Sequence, residues 1–427
     1  MLNTVSRSKP LESIEAVFPS KQSQFHYRSP HYGTKPQSEL PKAVIRTSDR
    51  NFYRSCRRKW ALQSHLRFNL GPKQNASPLW MGSGFHFVME DYLGLQRFAD
   101  PIDAWKEYVR ASIKFHTKDN LPNDYEDLSE MTISMLEYFK KWREFRKEDL
   151  YETYVVDGVP QVEVNFRVDI PLSKEFLEKH GYRSAEYSGT IDAVWHDPVG
   201  DVLWLVDFKT AKIFSTNHYL TDPQITAYCW AASHMYDKPV VGMIYAQHLK
   251  RNIEPLKPLK NGHISVNKNM ATTYIQYREA LIENYGSLSN SPQINIDFLS
   301  SLFKKENDLQ DAFIRYDKIY RGQDYLSAEN DKIIMEAEEM ISVDTNIFPN
   351  PSRDCVSFCS FTDPCVGMDD GSDYLHLLKE NYQVRPSSYD EWRQYIRWPD
   401  EQDLVAIAAA EDAKRETKDY MSNMDDI

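Results

Sequence analysis

The first stretch of the chain, to about residue 43, shows no apolar periodicity and is rich in Ser, Pro, Lys and Gln. Such a segment buries too little surface to offset chain entropy, so residues 1–44 are read as a flexible leader. At Thr47 the pattern changes. Phe52, Tyr53, Cys56 and Trp60 recur at helical spacing, and Ser48 or Asp49 can cap the helix they predict. Further amphipathic helices are expected over about 84–95, 102–117 and 126–147, with Trp105, Tyr108, Met135, Phe139 and Trp142 available to pack.

The period then switches from 3.6 to 2. Gln161 to Ile170 alternates apolar and polar positions as a half-buried strand does. Two more strands are predicted at 187–196 and 202–208, joined by the turn Asp197-Pro198-Val199-Gly200. A helix over 222–236 and an apolar strand over 239–248 follow, so helices and strands share one core. Long charged amphipathic stretches make 268–342 a helical insertion, and residues 371–427 read as an acidic tail. The expected organisation is a leader, one elaborated domain over 45–370, and that tail.

Composition narrows the function classes. The 427 residues are 41% hydrophobic and include nine Trp, enough apolar material for one large core. No run approaches the roughly 18–20 apolar residues of a membrane span, and the start of the chain lacks the apolar stretch of a signal peptide, so a soluble intracellular, cytoplasmic protein is expected, with no membrane partner. A formal charge of −12 argues against nonspecific coating of nucleic acid, though it says little about a cleft. Five cysteines in such a chain suit metal ligation better than disulfides. No G-x-x-x-x-G-K-[ST] phosphate loop is present, so the chain carries no such motor motif.

The chemistry gathers in the predicted hairpin. Gly189-Thr-Ile-Asp192 ends one strand and Asp207-Phe-Lys209 ends the next. Two strands joined by a tight turn can bring both carboxylates to one sheet end, where they could share a divalent cation with hard oxygen ligands. Lys209 emerges on the same strand face as Asp207, because side chains alternate with period two. Metal plus cation is what phosphodiester hydrolysis requires. Taken alone, these acids also fit ordinary turn positions and Lys209 a solvated charge. Upstream, Gly82-Ser-Gly-Phe-His86 places a histidine one helical turn before Glu90; downstream, Gln224-Ile-Thr-Ala-Tyr228 puts Gln and Tyr on one helix face.

The ordered set Gly82/His86, Glu163, Gly189/Asp192, Asp207/Lys209 and Gln224/Tyr228 resembles the RecB family of PD-(D/E)XK nucleases. The resemblance covers about residues 45–370. It implies an α/β, restriction-endonuclease-like core with a central mixed β-sheet flanked by helices. It also implies that His86, Asp192, Asp207 and the backbone carbonyl of Phe208 bind Mg²⁺ or Mn²⁺. Lys209 would be catalytic, and Gln224 and Tyr228 would belong to the supporting motif. The implied activity is a DNA exonuclease working on strand ends, single-stranded DNA favoured, in recombination, repair or phage DNA processing. An endonuclease trimming DNA for integration and a nuclease-dead DNA-binding scaffold are the rivals; a separate helicase or recombination protein could be a partner.

Cys355, Cys359 and Cys365 cluster near the end of the chain, with Cys56 about 300 residues upstream. This distribution resembles the iron-sulfur staple of AddB-type and CRISPR-associated adaptation nucleases, which implies a 4Fe-4S cluster on those four residues. The first gap departs from the pattern, being three residues (Val356-Ser357-Phe358) where the family commonly has two. Soft thiolates suit zinc as well, so a four-cysteine zinc site stays open. Cys229, in an apolar helix face, is set apart as a buried hydrophobe. Arg54, Arg57, Arg58 and Lys59 surround Cys56 and could meet DNA phosphates, or simply form a solvated helix face.

Overall fold

The computed structural model describes residues 40–399, except 74–76, 116–120, 148–149, 215–217, 307–308 and 386–390. The leader up to residue 39 and the tail beyond 399 lie outside the described residues, as does the end of the helix expected to reach 117.

The chain enters through strand β1 (Lys42–Arg46), helix α1 (Thr47–Ser55) and helix α2 (Arg57–Gln63). The leader therefore ends before residue 42, earlier than the expected 44, because Ala43 and Ile45 are fully buried in the sheet. Arg46 rather than Ser48 or Asp49 is the N-cap of α1; Asp49 reaches back to accept the Arg46 amide at 3.0 Å. The single helix expected through Trp60 breaks at Cys56, whose backbone is extended (φ −162°, ψ 115°).

Strand β2 (Leu70–Pro72) leads to α3 (Ser77–Glu90), which continues as a π-turn over Asp91–Leu95, and then to α4 (Pro101–Phe115) and α5 (Tyr125–Phe145). β3 (Val162–Ile170), the short α6 (Lys174–Lys179), β4 (Ser184–Asp197), β5 (Val202–Ala211), α7 (Pro223–Ser233) and β6 (Val240–Leu249) follow; apart from α6, which the sequence reading did not include, they lie close to the expected ranges. Then come α8 (Tyr274–Tyr285), α9 (Gln293–Lys305), β7 (Ile314–Tyr320) and α10 (Gln323–Ile341). The chain closes with α11 (Asp354–Phe358), α12 (Thr362–Asp370), α13 (Tyr374–Asn381) and β8 (Tyr382–Val384).

The segment 268–342 is thus not wholly a helical insertion. α8 and α9 share a satellite core around Tyr277 and Phe298, but β7 pairs antiparallel with β6, and α10 buries Leu326, Ile333 and Ala337 against one face of the sheet. The expected tail is corrected likewise: β8 pairs with β2, and Trp392 is buried 5.3 Å from Phe87 and 4.7 Å from Tyr108. Each of these aromatic contacts reaches a different element, so no local periodicity announces them.

The main sheet runs β1-β4-β5-β6-β7, with β3 on the other side of β4. β4 is the long central strand, and its partners change along its length. β1 pairs with it in parallel from Ser184 to Ser188, whereas β5 pairs antiparallel only from Ala193 onward. β3 occupies the opposite edge from Ala185 to Ala193. Gly189, Thr190, Ile191 and Asp192 are therefore left without a strand on the side shared by β1 and β5, which makes a notch in the sheet.

Two cores cover the sheet faces. One is built from α1, α2, α7 and α10; the other from α3, α4, α5 and Trp392. At the centre of the second lies His248 of β6, fully buried, with Phe85 at 4.9 Å, Phe139 at 5.3 Å and the Tyr316 hydroxyl 3.2 Å from its Nε2. Burial pushes its imidazole down to about 3. The folded state then stays neutral where the unfolded chain protonates, so stability is full above pH ~6.5 and falls as the pH drops below that value toward about 3. Between pH 7 and 5 this group alone should cost about 2 kcal/mol. Chemical denaturation of His248→Gln at both pH values should show that much less loss than wild type; parallel losses would refute the assignment.

Candidate nuclease site

The site fills the notch. α3 crosses behind it and delivers His86, whose Nδ1 lies 3.3 Å from Asp192 Oδ2 and 3.5 Å from Glu163 Oε1. Close packing fixes this approach. A Cβ on Gly84 would fall 2.5 Å from a ring carbon of Trp105 and 2.3 Å from one of Tyr108, so only glycine lets α3 settle on α4. Gly82, the glycine singled out in the motif, has nothing within 4 Å of its would-be Cβ. Glu90 lies on the same helix but pairs with Arg393 at 2.6 Å.

Asp192 sits where the β4–β5 ladder stops. Its carboxylate accepts the Phe208 amide at 2.7 Å, taking the place of the strand partner the notch lacks. The motif's Gly189 is required on steric grounds: a Cβ there would come 2.7 Å from Phe166 and 3.1 Å from the Tyr228 hydroxyl. Asp207, buried on β5, is held by Lys209 Nζ at 2.8 Å.

These charges tune one another. Burial alone would raise the Asp192 carboxyl, but the His86 ring, Lys209 and the Phe208 amide hold it below the ordinary range. Asp207 goes the other way, pushed up by burial and by Asp192 despite Lys209. Burial works against the charged form of His86, yet Asp192 and Glu163 outweigh it and raise the ring to about 10. Lys209 is likewise held above its usual value, against burial, by Asp207 and Asp192. The ammonium is thus a fixed positive charge beside two carboxylates, the type of preorganised cation that stabilises charge on a phosphate.

Among the described residues, His86, Glu163 and Asp192 form the group whose ligand atoms all fall within 4.8 Å of one another. Imidazole with two carboxylates is a donor set that suits Mg²⁺ or Mn²⁺. The sequence motif included Glu163 but assigned it no role. Its position follows from a local break in pairing: Glu163 adopts φ 45°, a left-handed conformation that costs a non-glycine residue about 1–3 kcal/mol, and the β3–β4 ladder skips the Glu163–Asp192 pair without changing register. Asp207, expected as a ligand, stands outside the group, its charge met by Lys209. Glu163→Gln should lower Mn²⁺ affinity on the order of tenfold with the fold unchanged, read by calorimetric titration alongside a thermal melt. An unaltered affinity would remove Glu163 from the site.

Of the supporting motif, α7 brings Tyr228 against Phe166, ring centroids 5.3 Å apart, and near Thr47, the first residue of α1. Thr47 Oγ1 also meets the Tyr187 hydroxyl at 2.6 Å. Gln224 lies one turn earlier on α7, half-buried. The basic run around Cys56 is not an open patch. Arg54 pairs with Glu336, Arg57 with Glu339 at 2.7 Å and Arg58 with Asp369 at 2.8 Å, while Lys59 lies over the Phe52 ring. Arg50, buried, joins the same seam through Glu329 and Glu336, each at 2.6 Å.

The four cysteines Cys56, Cys355, Cys359 and Cys365 line one cavity of about 320 Å³ between α1, α2, α11 and α12. Backbone amides point at the sulfurs: Lys59 and Asn350 at Cys56, 3.5 and 3.4 Å, and Ser352 at Cys355, 3.4 Å. Cys229 is apart, fully buried under α7, and burial pushes its thiol up to about 12.

A notch flanked by hairpin carboxylates and a lysine, with a histidine from a crossing helix, can hold a divalent cation beside a fixed positive charge, the pairing that phosphodiester hydrolysis requires. Residues 47–366 match the family model described as the PD-(D/E)XK nuclease superfamily, and the chain belongs to that superfamily, whose members generally use divalent metals. Its fold is accordingly the restriction-endonuclease-like α/β core. No curated protein sequence matches the chain. Among solved structures it is similar to a "Putative exonuclease" from Eubacterium rectale, at 10% identity and a TM-score of 0.37, over 79% of this chain and 92% of that one. In the described residues no helix is long and apolar enough to cross a membrane.

Proposed function

We propose that the protein is a metal-dependent deoxyribonuclease that hydrolyses DNA from strand ends, single strands favoured, in recombination, repair or phage DNA processing inside the cell. The observation that carries this reading is the closed set of His86, Glu163 and Asp192 beside the Lys209–Asp207 pair in the sheet notch. A divalent cation held there, with Asp207 and the Phe208 carbonyl as further donors, would supply Lewis acidity and a nucleophilic hydroxide at neutral pH. Lys209 offsets charge that builds on the phosphate. Tyr228 and Thr47 fix the wall behind Asp192, and Gln224 belongs with Tyr228 as a substrate contact on the same helix.

The four cysteines are assigned to an iron-sulfur cluster of the 4Fe-4S type. A tetrahedral zinc with bonds of about 2.3 Å needs sulfurs roughly 3.8 Å apart. The cavity of about 320 Å³ that the four thiols share has room for the larger group. Amide hydrogen bonds to the sulfurs fit either cofactor.

The test is digestion of linear and circular DNA, single- and double-stranded, labelled at either end, with Mg²⁺, Mn²⁺ or chelator. Metal-dependent release of nucleotides from linear single strands, circles resisting, is the expected result. Cleaved circles would make the protein an endonuclease of the kind that trims DNA for integration. Binding without cleavage in either metal would make it a scaffold. A helicase or recombination protein is the partner such an end-processing enzyme would serve.

A further inference from the structure

β5 and β6 run parallel, and their register pairs Lys209 with Gln247, Thr210 with His248 and Ala211 with Leu249. The last rung is closed by the Lys250 amide, which donates to the Ala211 carbonyl at 2.7 Å, so Lys212 and Lys250 each follow directly on the last paired residues of the two strands. The two lysines thus leave neighbouring strand ends, near enough for Lys212 to act on the Lys250 ammonium, three residues beyond Lys209, or about 10 Å along the strand.

Like charges side by side are costly, and this protein has carboxylates to spare, 63 acidic against 51 basic residues. Elsewhere its lysines use them. Lys42 pairs with Glu186, Lys140 with Asp100, Lys141 with Glu279 and Lys238 with Asp201. Among the described residues no carboxylate lies within ion-pair distance of Lys212 or Lys250. Lys250 is half-buried, and burial together with its neighbour Lys212 lowers its ammonium from the usual value. Arg251 follows, exposed, and Ile213 beside Lys212 is 82% exposed, an apolar surface at the same edge.

We infer that Lys212 and Lys250 form a binding site for the phosphodiester backbone of the substrate strand, gripping phosphates adjacent to the one at Lys209. The inference rests on the nuclease reading and adds to it the path of the strand, over the C-terminal ends of β5 and β6. Ile213 is placed to touch a base of that strand. An ion pair would have neutralised these lysines, and repulsion between them is relieved when an anion lies across both.

The experiment is anisotropy of a labelled single-stranded oligonucleotide titrated with full-length protein in Ca²⁺, over a salt series, the oligonucleotide checked intact after each titration. Removing one lysine from a phosphate lowers the slope of log affinity against log salt by about 0.7 for a single strand. Lys212→Gln/Lys250→Gln should therefore lose about 1.4 from the slope and on the order of tenfold in affinity near 0.1 M salt, with its melting temperature unchanged. Lys212→Arg/Lys250→Arg should keep the wild-type slope, as should Lys174→Gln/Lys179→Gln on the distant α6. If the first double variant binds with wild-type affinity and slope while the wild-type protein binds and cleaves DNA, the lysine site is wrong and the nuclease reading stands. If wild type neither binds nor cleaves, both fall together.

Discussion

Lys209→Ala is expected to reduce DNA cleavage by at least about 10²–10³-fold, the loss that follows removal of one preorganised group that stabilises developing charge. The side chain is the ammonium held 2.8 Å from Asp207 and raised above its usual value by that acid and Asp192. Asp192→Ala and Asp207→Ala should be comparably inactive, since each removes a carboxylate serving the cation rather than the core. The check is digestion of end-labelled DNA by the three variants, with circular dichroism to show that they fold and anisotropy to show that they still bind. Lys209→Ala cleaving at the wild-type rate would displace the active site from the notch.

The second large effect concerns the thiol cavity. Cys56 stands before the nuclease core and Cys355, Cys359 and Cys365 after it, so a group bound by all four closes a loop of about 300 residues. By analogy with crosslinks, closing so long a loop contributes a few kcal/mol, and losing it should lower Tm by roughly 5–10 °C. Cys56→Ala or Cys359→Ala should show that fall, expose residues 350–370 to protease and weaken DNA binding. Cys229→Ala should keep its metal content, because Cys229 is buried in the sheet core on α7 and does not line the cavity of the four thiols. Anaerobically purified wild type should be brown and carry iron; stoichiometric zinc would replace the cluster with a zinc site. A Cys56→Ala protein that loses its metal yet melts as wild type would end the staple account.

Much of this was legible locally. The hairpin acids, Lys209, the alternation of β3 and the apolar run of β6 are short-range signals, and His86 follows from its motif. What escaped was non-local. β7 was hidden in a charged stretch, because the adjacent Asp317 and Lys318 break the alternation between buried Tyr316 and Ile319 and long helices flank it. Glu163 needed a left-handed backbone to face His86, and neither residue type nor period signals that conformation. The basic run around Cys56 resembled a patch because its counterions, Glu336, Glu339 and Asp369, lie some 280–310 residues away in sequence. Gly84 rather than Gly82 bears the steric constraint on α3, a distinction only the packing of Trp105 and Tyr108 makes.

The walls of the thiol cavity come from opposite ends of the chain, and this sets an order on biosynthesis. Cys56 leaves the ribosome about 300 residues before its companions, an interval of roughly 15–60 s at 5–20 residues per second. β1 waits similarly for β4, which it pairs in parallel across a separation of 142 residues. During that interval the amino-terminal helices have neither the α10 carboxylates nor the cavity to dock against. A nascent chain should therefore join its two ends only after α12 has emerged, so that polypeptides truncated ahead of Cys355 are released with Cys56 unpartnered by the carboxy-terminal thiols.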